Sequence, residues 1–517
     1  MSLSSIPDIS IAATTATTLV VVTATILSRL LYSLYFHPLA KYPGPWYARA
    51  TSLPLTIISL RRVEPQWLIS LAKRYGTEGP IRIAPTLLLF PNPEHMRDIY
   101  WDPKCNTKAD LYGSGALGPP SLFSTQDGEK HRRLRRALGG SQWTIGSLKK
   151  TWEPRLDELI TLFTEKMTEF AQAREEIMLC DKVAEFAADF LTMIAFNEPW
   201  GFVRNGRDER EYLKSWREGL DFYGLAARWK SFRKYILKNP ILSSYFLPSV
   251  SDKHGMGYLA FHADQQVSKR EAEMEESGGE WKMDNPDFLQ HALNASFSDG
   301  SILTPVDKRA NITFLIQAGA DTTGTGMGST LRYLLIYPDA FKRARAEIEE
   351  VDKAGKLSRP ISYEESRRHL PYLNACIKES LRLDPPTPQL LPRVVPAGGK
   401  RVGNVFVPGG TDVTTHASVV QRDPVLYAPD PGAFRPERWL DPTRESEMEA
   451  ASFVFGMGPR VCIGKDVSSL ETWKLLPEII RNFDIELRAP GEYVVAGGVA
   501  FNEGLRVVLT RRCADQD

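Results

Sequence analysis

The amino-acid sequence predicts a mainly α protein with small peripheral β-sheets and an N-terminal transmembrane anchor. Residues 9–28 carry no formal charge and are long enough as a helix to cross a bilayer. Apolar residues recur at helical spacing through most of the remaining chain. Stretches with the alternation typical of strands are few and short. Together these three observations indicate a helical body tethered to a membrane.

Composition excludes several other classes of protein. Hydrophobic residues make up 43% and charged residues 25% of the 517 residues, values typical of a folded soluble body rather than of a disordered or multi-span membrane protein. With 64 basic and 63 acidic side chains, the chain has no basic excess with which to bind nucleic acid. The cysteines form no C-x-x-C pair, which argues against a zinc module or a disulfide framework; they are Cys105, Cys180, Cys376, Cys462 and Cys513.

The uncharged segment 9–28 is predicted to be an uncleaved anchor. A cleaved signal peptide and a buried helix remain alternatives, but residues 1–8 lack the Lys or Arg that a signal peptide carries. Positive charge follows the segment instead, which places the body in the cytosol by the positive-inside rule; these residues are Arg29, Lys41, Arg49, Arg61 and Arg62. Pro38 is expected to end the helix.

The remainder of the chain is expected to form one body, since it contains no internal repeat and no long flexible linker. Helical spacing is clear in residues 156–170, where Leu156, Leu159, Ile160, Phe163, Met167 and Phe170 would share one face. Extended structure is predicted only near residues 81–90, near residues 402–407 and in the last thirty residues.

Residues 455–464, with the sequence FGMGPRVCIG, form a glycine-punctuated turn around a cysteine. Gly456 and Gly458 can adopt positive φ, and Gly464 would let a flat ligand approach the backbone at the start of the next helix. Backbone N–H groups and a helix N-terminus would stabilise the Cys462 thiolate, while Arg460 could reach a carboxylate of the same ligand. A buried structural cysteine is the alternative, but this spacing rarely arises by chance.

The loop resembles the haem-binding signature F-x-x-G-x-R-x-C-x-G of cytochrome P-450 monooxygenases, which it matches at Phe455, Gly458, Arg460, Cys462 and Gly464. The resemblance implies the cytochrome P-450 fold, with residues 1–36 as the anchor and 37–517 as a haem-thiolate monooxygenase domain. It also implies haem b with Cys462 as the axial iron ligand. Phe455, Gly456, Arg460 and Gly464 would then contact the cofactor.

A second motif, Glu379-Ser380-Leu381-Arg382, resembles the E-x-x-R of the family. Glu379 and Arg382 would share a helix face, and the helix is expected to begin at Pro371 and to end before Pro385. In the family a third residue, here Arg438, completes a Glu-Arg-Arg structural cluster. Taken alone, E-x-x-R is usually a solvated ion pair.

A third motif lies in a predicted helix with Thr304 as N-cap and Pro305 as the first helical residue, extending to about Pro338. Its centre, AGADTTGTG, contains glycines that cost about 0.5–1 kcal/mol each in a helix. One explanation is a tight helix crossing. The other is a resemblance to the family's (A/G)-G-x-(D/E)-T-(T/S), in which a local helix opening lets an acid and an alcohol, here Asp321 and Thr322, deliver protons during oxygen activation.

Three further residues match family positions that bind the haem propionates: His131 and Arg135, four residues apart, and Arg393 after the Leu391-Pro392 turn. The other interpretation of the basic run 132–136 is a solvated helix face. Residues of that run that point away from haem would form a basic surface suited to an acidic electron donor.

The resemblance implies a monooxygenase that uses O₂ as cosubstrate and receives electrons from NADPH through NADPH-cytochrome P-450 reductase, with cytochrome b5 as a further partner. Residues 35–45, with the sequence YFHPLAKYPGP, are similar to the anchor-to-body junction of fungal microsomal members of secondary metabolism. This similarity implies the endoplasmic reticulum membrane and a polyketide, terpenoid or alkaloid substrate. Segments expected to line the pocket favour a hydrophobic small molecule; they are 108–124, 220–246, 314–322, 387–391 and 497–501. The alternatives are an O₂-independent isomerase or dehydratase, a fatty-acid or xenobiotic hydroxylase, and a haem carrier.

Overall fold

The computed structural model describes residues 11–277 and 287–512, with side chains from residue 14 onward. Within these ranges the fold is mainly helical with three small sheets, which confirms the predicted architecture. Residues 1–10 of the predicted anchor and Cys513 lie outside the described residues.

The helices fall into two groups along the chain. Those of the N-terminal half are α1 (Ile11–Leu31), α2 (Trp46–Ala50), α3 (Leu53–Leu60), α4 (Glu64–Tyr75), α5 (Met96–Tyr100), α6 (Gly128–Leu138), α7 (Ile145–Thr151), α8 (Glu153–Ala173), α9 (Leu179–Phe196), α10 (Phe202–Asn205), α11 (Tyr212–Arg228), α12 (Lys230–Phe232), α13 (Pro240–Ser243) and α14 (Gly255–Glu276). Those of the C-terminal half are α15 (Phe288–Asn294), α16 (Pro305–Ile336), α17 (Pro338–Lys353), α18 (Tyr363–His369), α19 (Pro371–Leu383), α20 (Ala417–Val420), α21 (Pro442–Ala450) and α22 (Lys465–Asn482).

The strands are short except for the C-terminal hairpin. They are β1 (Ile81–Ala84), β2 (Leu87–Leu89), β3 (Glu176–Met178), β4 (Arg393–Val394), β5 (Lys400–Val402), β6 (Val405–Val407), β7 (Asp412–Thr414), β8 (Phe483–Ala496) and β9 (Val499–Arg511). Their sheets have the orders β1-β2-β7-β4, β3-β9-β8 and β5-β6. All three predicted extended stretches are confirmed, whereas β3, β4 and β7, each two or three residues long, were not predicted.

Helix α16 is the central element, and its 32 residues run through the core. The Thr304 hydroxyl accepts a hydrogen bond from the Asp307 N–H at 3.1 Å and Pro305 opens the helix, so the predicted start is confirmed. Two of the costly glycines lie where α9 crosses α16. A Cβ on Gly324 would lie 2.5 Å from the Ala184 Cα, and one on Gly319 would lie 2.4 Å from a Leu191 methyl. Close packing therefore accounts for these glycines.

The main core surrounds this crossing. Its apolar side chains come chiefly from α8, α9, α16, α19 and α22, and strand β9 covers one side. On α8 the predicted face is buried at Leu156, Leu159, Ile160, Phe163 and Met167, while Phe170 is half-buried at its edge. The core thus holds α16 rigidly between its neighbours.

The apolar N-terminal helix ends shortly before Pro38, as predicted. In the described residues one helical stretch is long and apolar enough to cross a membrane, Thr14–Phe36, and it continues past the uncharged run and Arg29. Its last turn is fastened to the body by Arg82, whose fully buried guanidinium donates to the Ser33 carbonyl at 2.8 Å and to the Ser33 hydroxyl at 3.1 Å. These bonds satisfy acceptors at the end of the helix that would otherwise lack partners.

Gly324→Ala is expected to destabilise the fold by about 1–3 kcal/mol, since the clash with Ala184 outweighs the gain of up to about 1 kcal/mol from higher helix propensity. Gly146→Ala is the matched control, because Gly146 lies in α7 with open space around its Cα and should gain stability. Thermal unfolding of both variants checks this. Equal shifts in their midpoints would contradict a packing role for Gly324.

Candidate functional site

The loop at residues 455–464 closes tightly on itself before α22. The Cys462 N–H donates to the Phe455 carbonyl at 2.9 Å, and Gly456 and Gly458 have φ of +69° and +73°. A Cβ on Gly458 would lie 2.1 Å from the Tyr100 carbonyl oxygen, so only glycine fits there. Gly464, directly before α22, has an ordinary φ of −85°. The loop therefore presents the cysteine at the N-terminal end of a helix.

The Cys462 sulfur is placed to bind a ligand. Of the described cysteines, Cys105, Cys180 and Cys376 are buried, whereas Cys462 is exposed. Many protein atoms nevertheless surround its sulfur, and this desolvation raises the pKa of the thiol. Hydrogen bonds from the backbone N–H groups of Gly464 and Lys465, and the charge of Arg135, lower the pKa of this thiol in part. These are the groups that would stabilise a thiolate.

Cationic side chains gather beside this loop. The Arg135 guanidinium donates to the Val461 carbonyl at 2.9 Å, and Arg460 donates to the Asn106 and Thr125 carbonyls at 2.9 and 2.8 Å. Burial, the largest cause, and the charges of Arg460, Lys108, Arg135 and Arg393 together lower the pKa of His131 to about 3. The structure thus brings together all four residues that the sequence assigned to propionate binding.

This cluster carries positive charge that the protein does not balance. In residues 11–277 and 287–512, no carboxylate forms an ion pair with Lys108, Arg135, Arg393 or Arg460. Burial and the neighbouring Arg393 lower the pKa of Arg460 to about 9, and the Nδ1 of His131 has no hydrogen-bond partner. A dicarboxylate ligand such as haem would neutralise this charge, so the cluster fits the two propionates.

The predicted Glu-Arg-Arg cluster is assembled around one buried carboxylate. Glu379 accepts from Arg382 at 2.8 Å through each oxygen, from the Arg438 Nε at 3.0 Å and from the Trp439 indole at 2.9 Å. The Arg435 backbone N–H adds a fifth bond at 2.9 Å. Burial would raise the pKa of Glu379, but the arginine contacts outweigh it and lower the pKa.

Hydrogen bonds connect this cluster to the cysteine loop. Arg382 Nη1 donates to the Gln421 carbonyl at 2.7 Å, and the Gln421 side-chain amide donates to the Arg382 carbonyl at 2.9 Å. The same Gln421 side chain accepts from the Phe453 N–H at 2.9 Å, two residues before the loop begins. The cluster therefore fixes the segment that leads into the loop.

At the centre of α16, Asp321 is paired with an arginine. The Arg217 Nη2 of α11 lies 2.8 Å from an oxygen of the Asp321 carboxylate, which is nearly fully buried, and its Nη1 contacts Asp181 at 3.1 Å. Burial alone would lower the pKa of Arg217, but the two carboxylates outweigh this and raise it. Asp321 is therefore held in a buried ion-pair triad.

The local helix opening that the resemblance implied is absent from α16, whose α-helical segment is continuous across Asp321 and Thr322. The Thr322 hydroxyl donates to the Ala318 carbonyl at 2.8 Å, a bond within the helix itself. In this structure the Thr322 hydroxyl is therefore satisfied within the helix, and the proton-delivery role that the resemblance gives to Asp321 and Thr322 stays a prediction.

Several of the predicted pocket segments come together. Phe123 stacks on Phe314 with ring centroids 4.9 Å apart, which joins segments 108–124 and 314–322. The Gln389 amide donates to the Tyr223 hydroxyl, and a Cβ on Gly498 would contact Gln389 at 3.1 Å. Segments 220–246, 387–391 and 497–501 therefore also meet.

Comparison with known proteins agrees with this geometry. A family model described as Cytochrome P450 matches residues 100–493, a range that includes every predicted site residue from His131 to Cys462. The chain belongs to the cytochrome P450 family.

This cytochrome P450 is 32% identical over 504 residues to the cytochrome P450 monooxygenase gsfF of Penicillium aethiopicum, covering 96% of this chain and 98% of that relative. It is 30% identical over 465 residues to the cytochrome P450 monooxygenase ABA2 of Pyricularia oryzae, covering 87% and 85%. A crystal structure of a cytochrome P450 (CYP102L1) matches with a TM-score of 0.68 over 87% of this chain and 94% of that one; at 17% identity it shows the fold alone. The protein is thus a cytochrome P450 monooxygenase, a class that uses haem and O₂.

Two functional candidates in this cytochrome P450 were missed by sequence reasoning. Arg217 lies 104 residues before Asp321, and nothing local in α11 marks it as the partner of that carboxylate. Lys108 was named only as the start of a pocket segment, yet it lies 4.0 Å above the Tyr112 ring and 4.1 Å above the Phe123 ring, beside the cationic cluster. A lysine in a segment whose one other charged residue is Asp110 was the available signal.

Proposed function

We propose that this cytochrome P450 is a microsomal haem-thiolate enzyme that inserts one oxygen atom from O₂ into a hydrophobic small molecule of fungal secondary metabolism. A polyketide, terpenoid or alkaloid intermediate is the proposed substrate class. The observation that carries the proposal is the pairing of an accessible Cys462 with a buried cationic cluster that no protein carboxylate neutralises in the described chain. The relationship to gsfF and ABA2, both fungal monooxygenases, supports the same assignment.

Cys462 would ligate haem iron while His131, Arg135, Arg393 and Arg460 hold the two propionates. Bound in this way, haem with a thiolate ligand supplies the activation of O₂. The N-terminal end of α22 and the Arg135 contact to the loop favour the thiolate form of the ligand. Phe455, Gly456 and Gly464 would contact the cofactor through the loop that carries Cys462.

Asp321 and Thr322 would manage proton delivery. The Asp321 carboxylate is occupied by Arg217, so one of these contacts must open before the acid can exchange a proton with Thr322 or solvent. The Thr322 hydroxyl must likewise turn away from the Ala318 carbonyl to donate elsewhere. Arg217 would therefore act as a positioning residue for the acid.

Electrons would come from NADPH through NADPH-cytochrome P-450 reductase, with cytochrome b5 as a further donor. The exposed face of α6 offers a cationic docking surface near the cysteine loop. Arg132 and Arg133 are partly neutralised by Glu129 and Asp299, whereas Arg136 is exposed and has no ion pair within the described residues. Such a surface would attract an acidic partner.

Residues 1–36 would anchor the enzyme in the endoplasmic reticulum membrane, with the domain 37–517 in the cytosol. The exposed apolar helix Thr14–Phe36 supports a single span, and the basic residues that follow it support this orientation. The bonds from Arg82 to Ser33 would hold the body close to the membrane surface.

Cys462→Ser is expected to remove the thiolate signature from the spectrum of the reduced carbon monoxide adduct, because serine cannot supply a thiolate ligand. Cys105→Ser is the matched control, since Cys105 is buried and donates only a long bond to the Val394 carbonyl. The control should keep the wild-type Soret band. A wild-type spectrum resembling a histidine-ligated globin would refute the assignment of Cys462.

Asp321→Asn and Thr322→Ala are each expected to lower product formation about 100-fold while haem binding and oxygen consumption persist, because proton delivery fails and peroxide is released. Asp339→Asn is the control, since it makes the same chemical change at a fully exposed aspartate that pairs with Lys342 and contacts neither Arg217 nor Asp321. Simultaneous measurement of oxygen consumed, peroxide released and product formed gives the fraction of oxygen consumption that is coupled to product formation. Full coupling in the Asp321 and Thr322 variants would exclude the relay role.

Two sequons, at Asn294 and Asn311, test the orientation and should remain unglycosylated. Asn294 is exposed and would be available to a lumenal glycosylation enzyme, whereas the Asn311 amide accepts from the Leu122 N–H at 2.7 Å and donates to the Asp307 carbonyl. The chain is made with microsomes and treated with glycosidase or with external protease. A glycosidase-dependent mobility shift, or protection of the body from protease, would place it in the lumen.

A further inference from the structure

A cavity of about 380 Å³ lies between the N-terminal helix and the catalytic body. Ile26, Arg29 and Leu30 of α1 form one wall. The other walls come from residues around α3, from the β1–β2 turn, from α11 and α12, and from β7, with Leu55, Leu87 and Leu111 as apolar members. The cavity is therefore bounded partly by a helix that would lie in the bilayer.

The charges on the cavity walls are unbalanced. Arg29, Arg228, Lys230 and Arg233 line it, and Asp412 is the only carboxylate among its described lining residues. Two of these arginines are already paired outside the cavity, Arg228 with Glu64 at 2.8 Å and Arg233 with Asp110 at 3.3 Å.

Arg29 and Lys230 form no ion pair with any carboxylate in the described chain. Lys230 reaches only the Thr86 hydroxyl, at 3.4 Å. Arg29 approaches the Tyr235 hydroxyl, where its hydrogen bond contributes to lowering the pKa of that phenol after the larger effect of Lys234. Since Asp412 is the one carboxylate among the described lining residues, the two cations leave the cavity with net positive charge.

The depth of Arg29 identifies where a counter-ion would come from. The apolar stretch Thr14–Phe36 has 23 residues, and Arg29 lies about 22 Å along the helix from Thr14. A hydrocarbon core is about 30 Å thick, so this guanidinium would reach the headgroup region of the cytosolic leaflet. A cation at that depth needs an anion, and the phosphate of a lipid is available there.

We propose that this cavity binds one anionic phospholipid, with its headgroup phosphate between Arg29 and Lys230 and an acyl chain along Ile26 and Leu30. The inference rests on the proposed membrane anchoring but not on the proposed substrate. A neutral, hydrophobic substrate would gain nothing from two unpaired cations, whereas a lipid phosphate offers each of them a charge-assisted hydrogen bond. The bound lipid would fix the tilt between the anchor and the body.

The test uses the full-length holoenzyme in nanodiscs of phosphatidylcholine with a titrated fraction of phosphatidic acid. Native mass spectrometry counts the phosphatidic acid retained per chain. The wild type should retain one molecule, and Arg29→Gln with Lys230→Gln should weaken retention about tenfold for each cation lost. Asp412→Asn should strengthen retention, because it removes the opposing charge.

Lys234→Gln with Lys238→Gln is the matched control, because it removes the same number of positive charges close to Lys230 without altering a residue that lines the cavity. The control should keep the retained lipid. Equal loss in both double variants would mean general surface attraction and would overturn the proposal, as would preferential retention of oleate over phosphatidic acid. A wild type that inserts but retains no anionic lipid refutes the cavity site alone, whereas failure to insert refutes the anchor as well.

Discussion

The arrangement of the site depends on one buried carboxylate. Glu379 receives five hydrogen bonds from α19 and from the segment around Trp439. Loss of its carboxylate would leave two buried cations, Arg382 and Arg438, without a counter-charge. Arg382 in turn donates a hydrogen bond to the Gln421 carbonyl, and the Gln421 side chain accepts one from the Phe453 N–H. The position of the cysteine loop is therefore set by a polar network that lies outside the ligand site itself.

Beside the loop, by contrast, buried positive charges of the described chain lack the carboxylate partners that they have around Glu379. Around Glu379 every charge has its partner within the protein, whereas His131, Arg393 and Arg460 lie close together without a protein carboxylate in the described residues. Burial, together with repulsion from neighbouring cations, lowers the pKa of His131 and lowers that of Arg460 to about 9. One cluster stabilises the apoprotein, and the other is arranged to receive an anion.

Sequence reasoning succeeded where the chemistry is local. Thr304 and Pro305 specify a helix start within two residues, and residues 455–464 specify a turn through their own glycines. It failed where the partner is distant: the pairing of Arg217 with Asp321 depends on how α11 lies against α16. The role of Gly324 was likewise ambiguous, since a helix glycine has the same local cost whether it serves packing or proton chemistry.

The packing of α16 decides which side of the Asp321 pair can move. Gly319 and Gly324 bring α9 so close that a single added carbon would collide with it, so α16 has no room to bend toward that helix. Arg217, by contrast, is a long side chain on α11 that is about one-fifth exposed and already shared with the more exposed Asp181. Release of the Asp321 carboxylate therefore requires Arg217 to shift toward Asp181, rather than α16 to unwind.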